Sequence, residues 1–164
     1  MAQGKRNEPT VQPTEADLYY AAGFVDGEGC IAVRQSTNRR PEWNPSMYAS
    51  VTVSQAEPYG VMLQWFADRW GGAVRRKPER KDNAREAYEW HIVGQQAYDF
   101  LDAVLYKLKI KAPQAVNALR LRDQRANRAR GQTGWRNPLT VEEVALQAEI
   151  KAEANRLNQR GKQV

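Results

Sequence analysis

In the run Ala21-Ala22-Gly23-Phe24-Val25-Asp26-Gly27-Glu28-Gly29, one periodicity ends and another begins. Before it, Leu18, Ala21, Ala22 and Val25 recur at three- and four-residue spacing, the pattern of one helix face. Thr14 or Glu15 opens that helix, Asp17 sits favourably in its first turn, and Gly27 and Gly29 close it. After it the period drops to two. Residues 30–35 and 47–54 alternate as strands, the second rich in β-branched side chains, around a basic turn at Asn38-Arg39-Arg40-Pro41. A helix that feeds directly into two strands admits few architectures.

The same order of elements then recurs, although no repeat is visible residue by residue. Pro58 suits the first turn of a second helix with an apolar stripe at Val61, Met62, Trp65, Phe66 and Trp70, stopped by Gly71-Gly72. Strands follow at about 73–78 and 86–93, with Trp90 and Ile92 on one face and a charged tip at 78–83. A third helix at 95–107 turns Phe100, Leu101, Val104 and Leu105 inward. A fourth runs from Pro113 through Ala115, Val116, Leu119 and Leu121 to a basic end at Arg128 and Arg130. Thr140 and Glu143 form a capping-box pattern for a final helix at about 141–158, which packs on the domain through Val144, Leu146, Ile150 and Leu157. The expectation is an α+β fold, an antiparallel sheet with helices on one face.

Length and composition narrow the class. At 164 residues the chain suits one domain: a flexible leader at 1–13, then a single domain at 14–164 with its core at about 15–126 and a helical extension at about 127–160. Twenty-five Lys and Arg against 19 Asp and Glu give a net charge of +6, which favours a polyanionic partner. One cysteine (Cys30) and one histidine (His91) exclude an internal disulfide framework and a Cys/His zinc site. No stretch approaches the roughly 20 apolar residues that span a bilayer, and the polar leader lacks a secretory apolar region. A soluble domain of a reducing compartment, with no membrane partner, is expected.

A sheet covered on one face must leave the other solvated or bound. Arg34, Ser36, Asn38 and Arg40, with Arg39 beside them, belong to the first hairpin, and Arg75, Lys77, Arg80, Lys81 and Arg85 to the second. Strands bearing such side chains at about 3.3 Å per residue can track a DNA major groove, where Arg and Lys read guanine or hold phosphates. A plain solvated face explains the same alternation. The helix carrying Arg120, Arg122, Arg125, Arg128 and Arg130 is open in the same way, between flanking phosphates and solvent.

The first helix ends in two acids, Asp26 and Glu28, where the macrodipole disfavours them. A bound cation offsets that penalty, and oxygen ligands suit Mg²⁺. The run resembles the motif that names the LAGLIDADG homing endonucleases. Ala22, Gly23, Asp26 and Gly29 match it, Phe24 and Val25 keep its apolar pair, and Glu28 stands for its final Asp. Gly27 replaces a small Ala, and Ala21 departs from the leading Leu. The similarity spans most of residues 15–125. It extends to Gln55 at a strand end and to Leu108-x-x-Lys111-x-x-Gln114-Ala115, although Tyr59 stands where some relatives have Arg.

The resemblance implies an αββαββα fold with a saddle-shaped sheet, and a homodimer, since this chain carries one motif. The motif helices would pair through Ala21, Ala22, Gly23, Val25 and Asp26, with Asp26 orienting the helix end. It implies site-specific hydrolysis of double-stranded DNA at a long near-palindromic target, promoting the mobility of an intron or intein. Glu28 and the Gly27 backbone would hold Mg²⁺, with Mn²⁺ or Ca²⁺ able to take its place. Gln55 would position a water and Lys111, or else Lys109, would stand near the scissile phosphate. Two other readings share the scaffold: an RNA maturase acting on intron RNA, and a non-cleaving DNA-binding regulator. The location would be a prokaryotic cytoplasm or nucleoid, or an organelle.

Overall fold

In the computed structural model, residues 7–36, 46–78, 85–128 and 138–159 are described. Helix α1 spans Glu15–Glu28, strand β1 Gly29–Gln35 and strand β2 Met47–Ala56. After a 3₁₀ turn at Tyr59–Val61 come α2, Met62–Trp70, then β3, Ala73–Arg76, and β4, Ala87–Val93. Helix α3 covers Gln95–Val104, α4 Ala112–Ala126 and α5 Val141–Leu157. The four strands form one antiparallel sheet in the order β1-β2-β4-β3. This is the expected α+β architecture, αββαββα followed by two further helices, α4 and α5. Among the described residues no helix is long and apolar enough to cross a membrane.

Strand parity decides what the helices cover. Ile31, Val33, Ala49, Val51, Val53, Trp90 and Ile92 are buried on the helix side, with Ala21, Ala22, Val25, Leu63, Phe66, Phe100 and Leu101 facing them. The centre is aromatic: Phe66 lies 4.8 Å from Trp90, Trp70 5.1 Å from Phe100, and Trp90 5.4 Å from Phe100, between ring centroids. Such pairs add about 0.5–1.5 kcal/mol each beyond their buried area. Helix α5 is fixed to α4 by polar contacts: Asn117 Nδ2 donates to the Ile150 carbonyl at 2.8 Å, and Gln147 Nε2 to Gln124 Oε1 at 2.9 Å.

The leader is docked from Asn7 on, because Thr10 and Val11 donate backbone N–H bonds to the Asp68 carbonyl at 2.7 and 2.9 Å, and Asn7 bridges Gly72. Gly71 and Gly72 accept that contact with φ of +69° and +85°; a Cβ on Gly72 would meet the His91 carbonyl oxygen at 2.6 Å. On α4, Val116 is 53% exposed, while Ala115, Ala118, Leu119 and Leu121 are buried in the core.

Candidate functional site

The end of α1 is pressed against the start of β1. A Cβ on Gly29 would meet the Val25 carbonyl oxygen at 2.7 Å, so this close approach requires glycine. Gly29 pairs with Val53, which sets Glu28 at the end of the sheet where β2 runs out toward Gln55. Glu28 is exposed and Gln55 half-buried.

Beneath that end, α1 and α4 hold each other. Helix α1 has no basic residue in its last turn and α4 no acid in its first, so the two facing ends, C-terminal of α1 and N-terminal of α4, are not answered by charges of their own helices. Asp26 answers for α4: its carboxylate accepts the Lys109 N–H at 2.7 Å and the Lys111 N–H at 2.8 Å. Lys111 answers for α1: its buried ammonium donates to the Val25 carbonyl at 2.9 Å and to the Asp26 carbonyl. The lysine expected beside a phosphate is thus turned into the protein. Lys109, the alternative, is exposed and its side chain makes no ion pair among the described residues.

Of the residues expected to pair, Gly23 lies on the outward side of α1. Ala21, Ala22 and Val25 are each 0% exposed within one chain and pack α1 on its own sheet, while Asp26 is committed to α4. The outward stripe is Tyr19, Tyr20, Gly23 and Gly27; a Cβ added at either glycine meets nothing within 4 Å.

The open face of the sheet carries Cys30, Ala32 and Arg34 from β1, Ser50, Thr52 and Ser54 from β2, Glu89, His91 and Val93 from β4, and Ala73 and Arg75 from β3, with Lys77 just beyond. Arg34, Arg75, Lys77 and Arg85 are the described cations that sequence placed there. Arg75 is ion-paired to Glu89 at 2.6 Å, and Lys77 donates to Ser54 Oγ at 3.2 Å. Ser36 closes the hairpin: its backbone N–H donates to the Ser46 carbonyl and its hydroxyl accepts the Ser46 N–H at 3.1 Å. Asn38, Arg39, Arg40, Arg80 and Lys81 lie outside the described residues. His91 faces the open side, and its pKa lies below the usual histidine value because burial and then the Arg75 guanidinium disfavour a second positive charge.

The arginines of α4 are bound internally. Arg120 pairs with Glu149 at 2.6 Å, Arg122 with Asp102 at 2.8 Å, Arg128 with Glu143 at 3.2 Å, and Arg125 donates to the Met47 carbonyl at 2.9 Å. Sequence reasoning missed Glu89; the inward positions of Trp90 and Ile92 already put Glu89 on the face shared with Arg75. No group of three or more His, Cys, Asp or Glu residues converges among the described residues. The end of α1 offers an exposed carboxylate, Glu28, beside the Gly27 backbone. That oxygen-only donor set fits Mg²⁺, which takes one or two carboxylates and completes its shell with water and phosphate oxygens.

The fold is shared with solved nuclease structures. Over 91% of this chain and 86% of the other, it matches the homing endonuclease I-CvuI in complex with its target in the presence of calcium, with a TM-score of 0.67 at 21% identity. The archaeal intron-encoded homing endonuclease I-Vdi141I, complexed with DNA, matches over 91% and 88% with a TM-score of 0.67 at 15% identity. I-SmaMI, bound to uncleaved DNA target with calcium, matches 87% of this chain but only 46% of its own, with a TM-score of 0.63 at 17% identity. No protein-family model and no curated protein matches the sequence. The chain has the LAGLIDADG homing-endonuclease fold.

Proposed function

We propose that the chain is a site-specific DNA endonuclease that works as a homodimer with Mg²⁺ and cuts a long near-palindromic target, promoting intron or intein mobility. The observation that carries this reading is the exposed Glu28 carboxylate at the end of the motif helix, beside a sheet face lined by Arg34, Arg75 and Lys77. The matching solved structures, homing endonucleases in complex with DNA, support it.

The glycines support the dimer. An exposed helical Gly costs about 1 kcal/mol relative to Ala, and Gly23 and Gly27 stand one turn apart with open space before them. A second copy of α1 packed there accounts for both. Two-fold symmetry then brings one Glu28 from each copy to the centre, one for each DNA strand.

The residues divide the work as follows. Glu28 and the Gly27 carbonyl hold the divalent ion. When bound, that ion supplies charge neutralisation at the phosphate and a more acidic water. Gln55 offers an amide that orients a water at the strand end. Lys109, exposed at the start of α4, supplies positive charge to the phosphate as negative charge develops. Asp26 and Lys111 keep the α1 end fixed against α4, so that Glu28 does not move with solvent. Arg34, Arg75, Lys77 and Arg85 meet the duplex across the open face, and Asn38, Arg39, Arg40, Arg80 and Lys81 add to the contact.

The test is cleavage of a duplex carrying the uninterrupted sequence that flanks the gene, with Mg²⁺ and then with EDTA. Wild type should cut only with the metal, and Glu28→Gln should bind without cutting. Binding without cleavage by wild type, at any metal concentration, would instead identify a regulator.

A further inference from the structure

Glu89 is the one carboxylate on the open sheet face among the described residues, and phosphates approach that face under the preceding reading, on which this inference rests. A carboxylate there opposes non-specific binding, so its presence needs a local reason. Ser54, Glu89 and Arg75 stand directly opposite one another across β2, β4 and β3. Arg75 Nε and Nη2 both reach Glu89 Oε1, at 2.7 and 2.6 Å, and Lys77 Nζ lies 4.0 Å from Oε2 while donating to Ser54 Oγ. The carboxylate side chain is 17% exposed and the guanidinium side chain 58%. The acid thus lies low between two cations and the arginine stands above it.

The geometry consumes one edge of the guanidinium and leaves the other. A guanidinium has five N–H donors in a fixed plane. Glu89 takes the Nε edge, and the end-on pair formed by Nη1 and the second Nη2 hydrogen has no partner among the described residues. That pair matches the O6 and N7 acceptors of guanine in the major groove. We propose that Arg75 reads a guanine in each half-site and that Glu89 is its positioning residue, fixing the guanidinium plane so that a base edge is preferred over a phosphate. Neutral, half-buried His91, two residues along the same face, brings no further cation to compete for the carboxylate.

The experiment is selection of bound sequences from a randomised duplex library by wild type, Arg75→Lys and Glu89→Gln, with thermal unfolding to report folding of each. Wild type should select a guanine at one position per half-site. Arg75→Lys should lose that preference by about ten- to a hundredfold, because an ammonium cannot make the forked contact. Glu89→Gln should weaken the preference at that position while tightening binding to a scrambled duplex, a gain that a merely structural role would not produce. A selected guanine that responds to neither substitution overturns the proposal and leaves the endonuclease reading standing. A change with Glu89→Gln alone, at a neighbouring cytosine, also overturns it by making the acid a direct reader. If wild type selects no sequence, both readings fall.

Discussion

Asp26 shows how a motif residue can be needed without touching chemistry. Its two oxygens accept the Lys109 and Lys111 N–H groups at the start of α4, and charge-assisted acceptors of this kind outweigh neutral ones. Asp26→Ala should therefore cost about 2 kcal/mol in chemical denaturation, since two helix-start donors lose their partner. Lys111→Met should destabilise as well, whereas Lys109→Met should leave stability alone and lower the cleavage rate. A reversed pattern would make Lys111 the residue at the phosphate. His91 gives a prediction in pH. Its folded pKa lies below the unfolded value, so the unfolded state binds the extra proton first. Its contribution is neutral above about pH 6.5 and becomes a penalty as pH falls toward the folded pKa. Wild-type melting temperature should drop between pH 7.5 and 5.5 by more than that of His91→Asn; equal drops would remove His91 as the cause. At this scale the sequence was informative where local pattern sufficed, as with Thr14 and Glu28. It was uninformative where a partner lay far along the chain, since nothing around Lys111 indicates that its ammonium closes on residues 25 and 26.

The elements themselves were largely legible because each follows from near neighbours. The capping boxes at Thr14 with Asp17 and at Thr140 with Glu143 are both formed, and the alternation of β2 reads directly as one buried and one open face. The spacing of Leu18, Ala21, Ala22 and Val25 marked one face of α1, but not whether that face meets the chain's own sheet or a second copy. Ala21, Ala22, Gly23 and Gly27 line nearly the whole turn, and only the packing against β2 and α3 decides that the alanines face in and the glycines out. The same holds for Arg120 and Arg122, whose partners Glu149 and Asp102 sit on α5 and α3. The outward glycines lead to a test with opposite signs. Gly23→Ala should raise the stability of the isolated chain by up to about 1 kcal/mol, because the added methyl meets nothing and helix propensity improves. In sedimentation the same variant should shift the dimer toward monomer, since the methyl occupies the space a partner helix needs. Stabilisation with unchanged association would leave the glycines without a pairing role.

At the scale of the whole molecule, one chain carries one Glu28, one open sheet and one motif helix, half of what the proposed cleavage of both strands calls for. The chain matches I-SmaMI over 87% of its own length and 46% of the other's, so the same unit is part of a longer polypeptide there. If each Glu28 serves one strand, linking two copies in tandem converts an association equilibrium into an intramolecular one and should preserve cutting at concentrations where the free chain is monomeric. The linked form also allows the acids to be removed one at a time. A tandem protein with one wild-type copy and one Glu28→Gln copy should bind the target as the parent does and nick a single strand, converting supercoiled plasmid to open circle without linear product. With both acids replaced it should do neither reaction while still retarding the duplex. Linear product from the half-mutant would mean that one carboxylate serves both strands, and the symmetric division of labour would be wrong. No nicking at all would mean that the two acids act as one site rather than two.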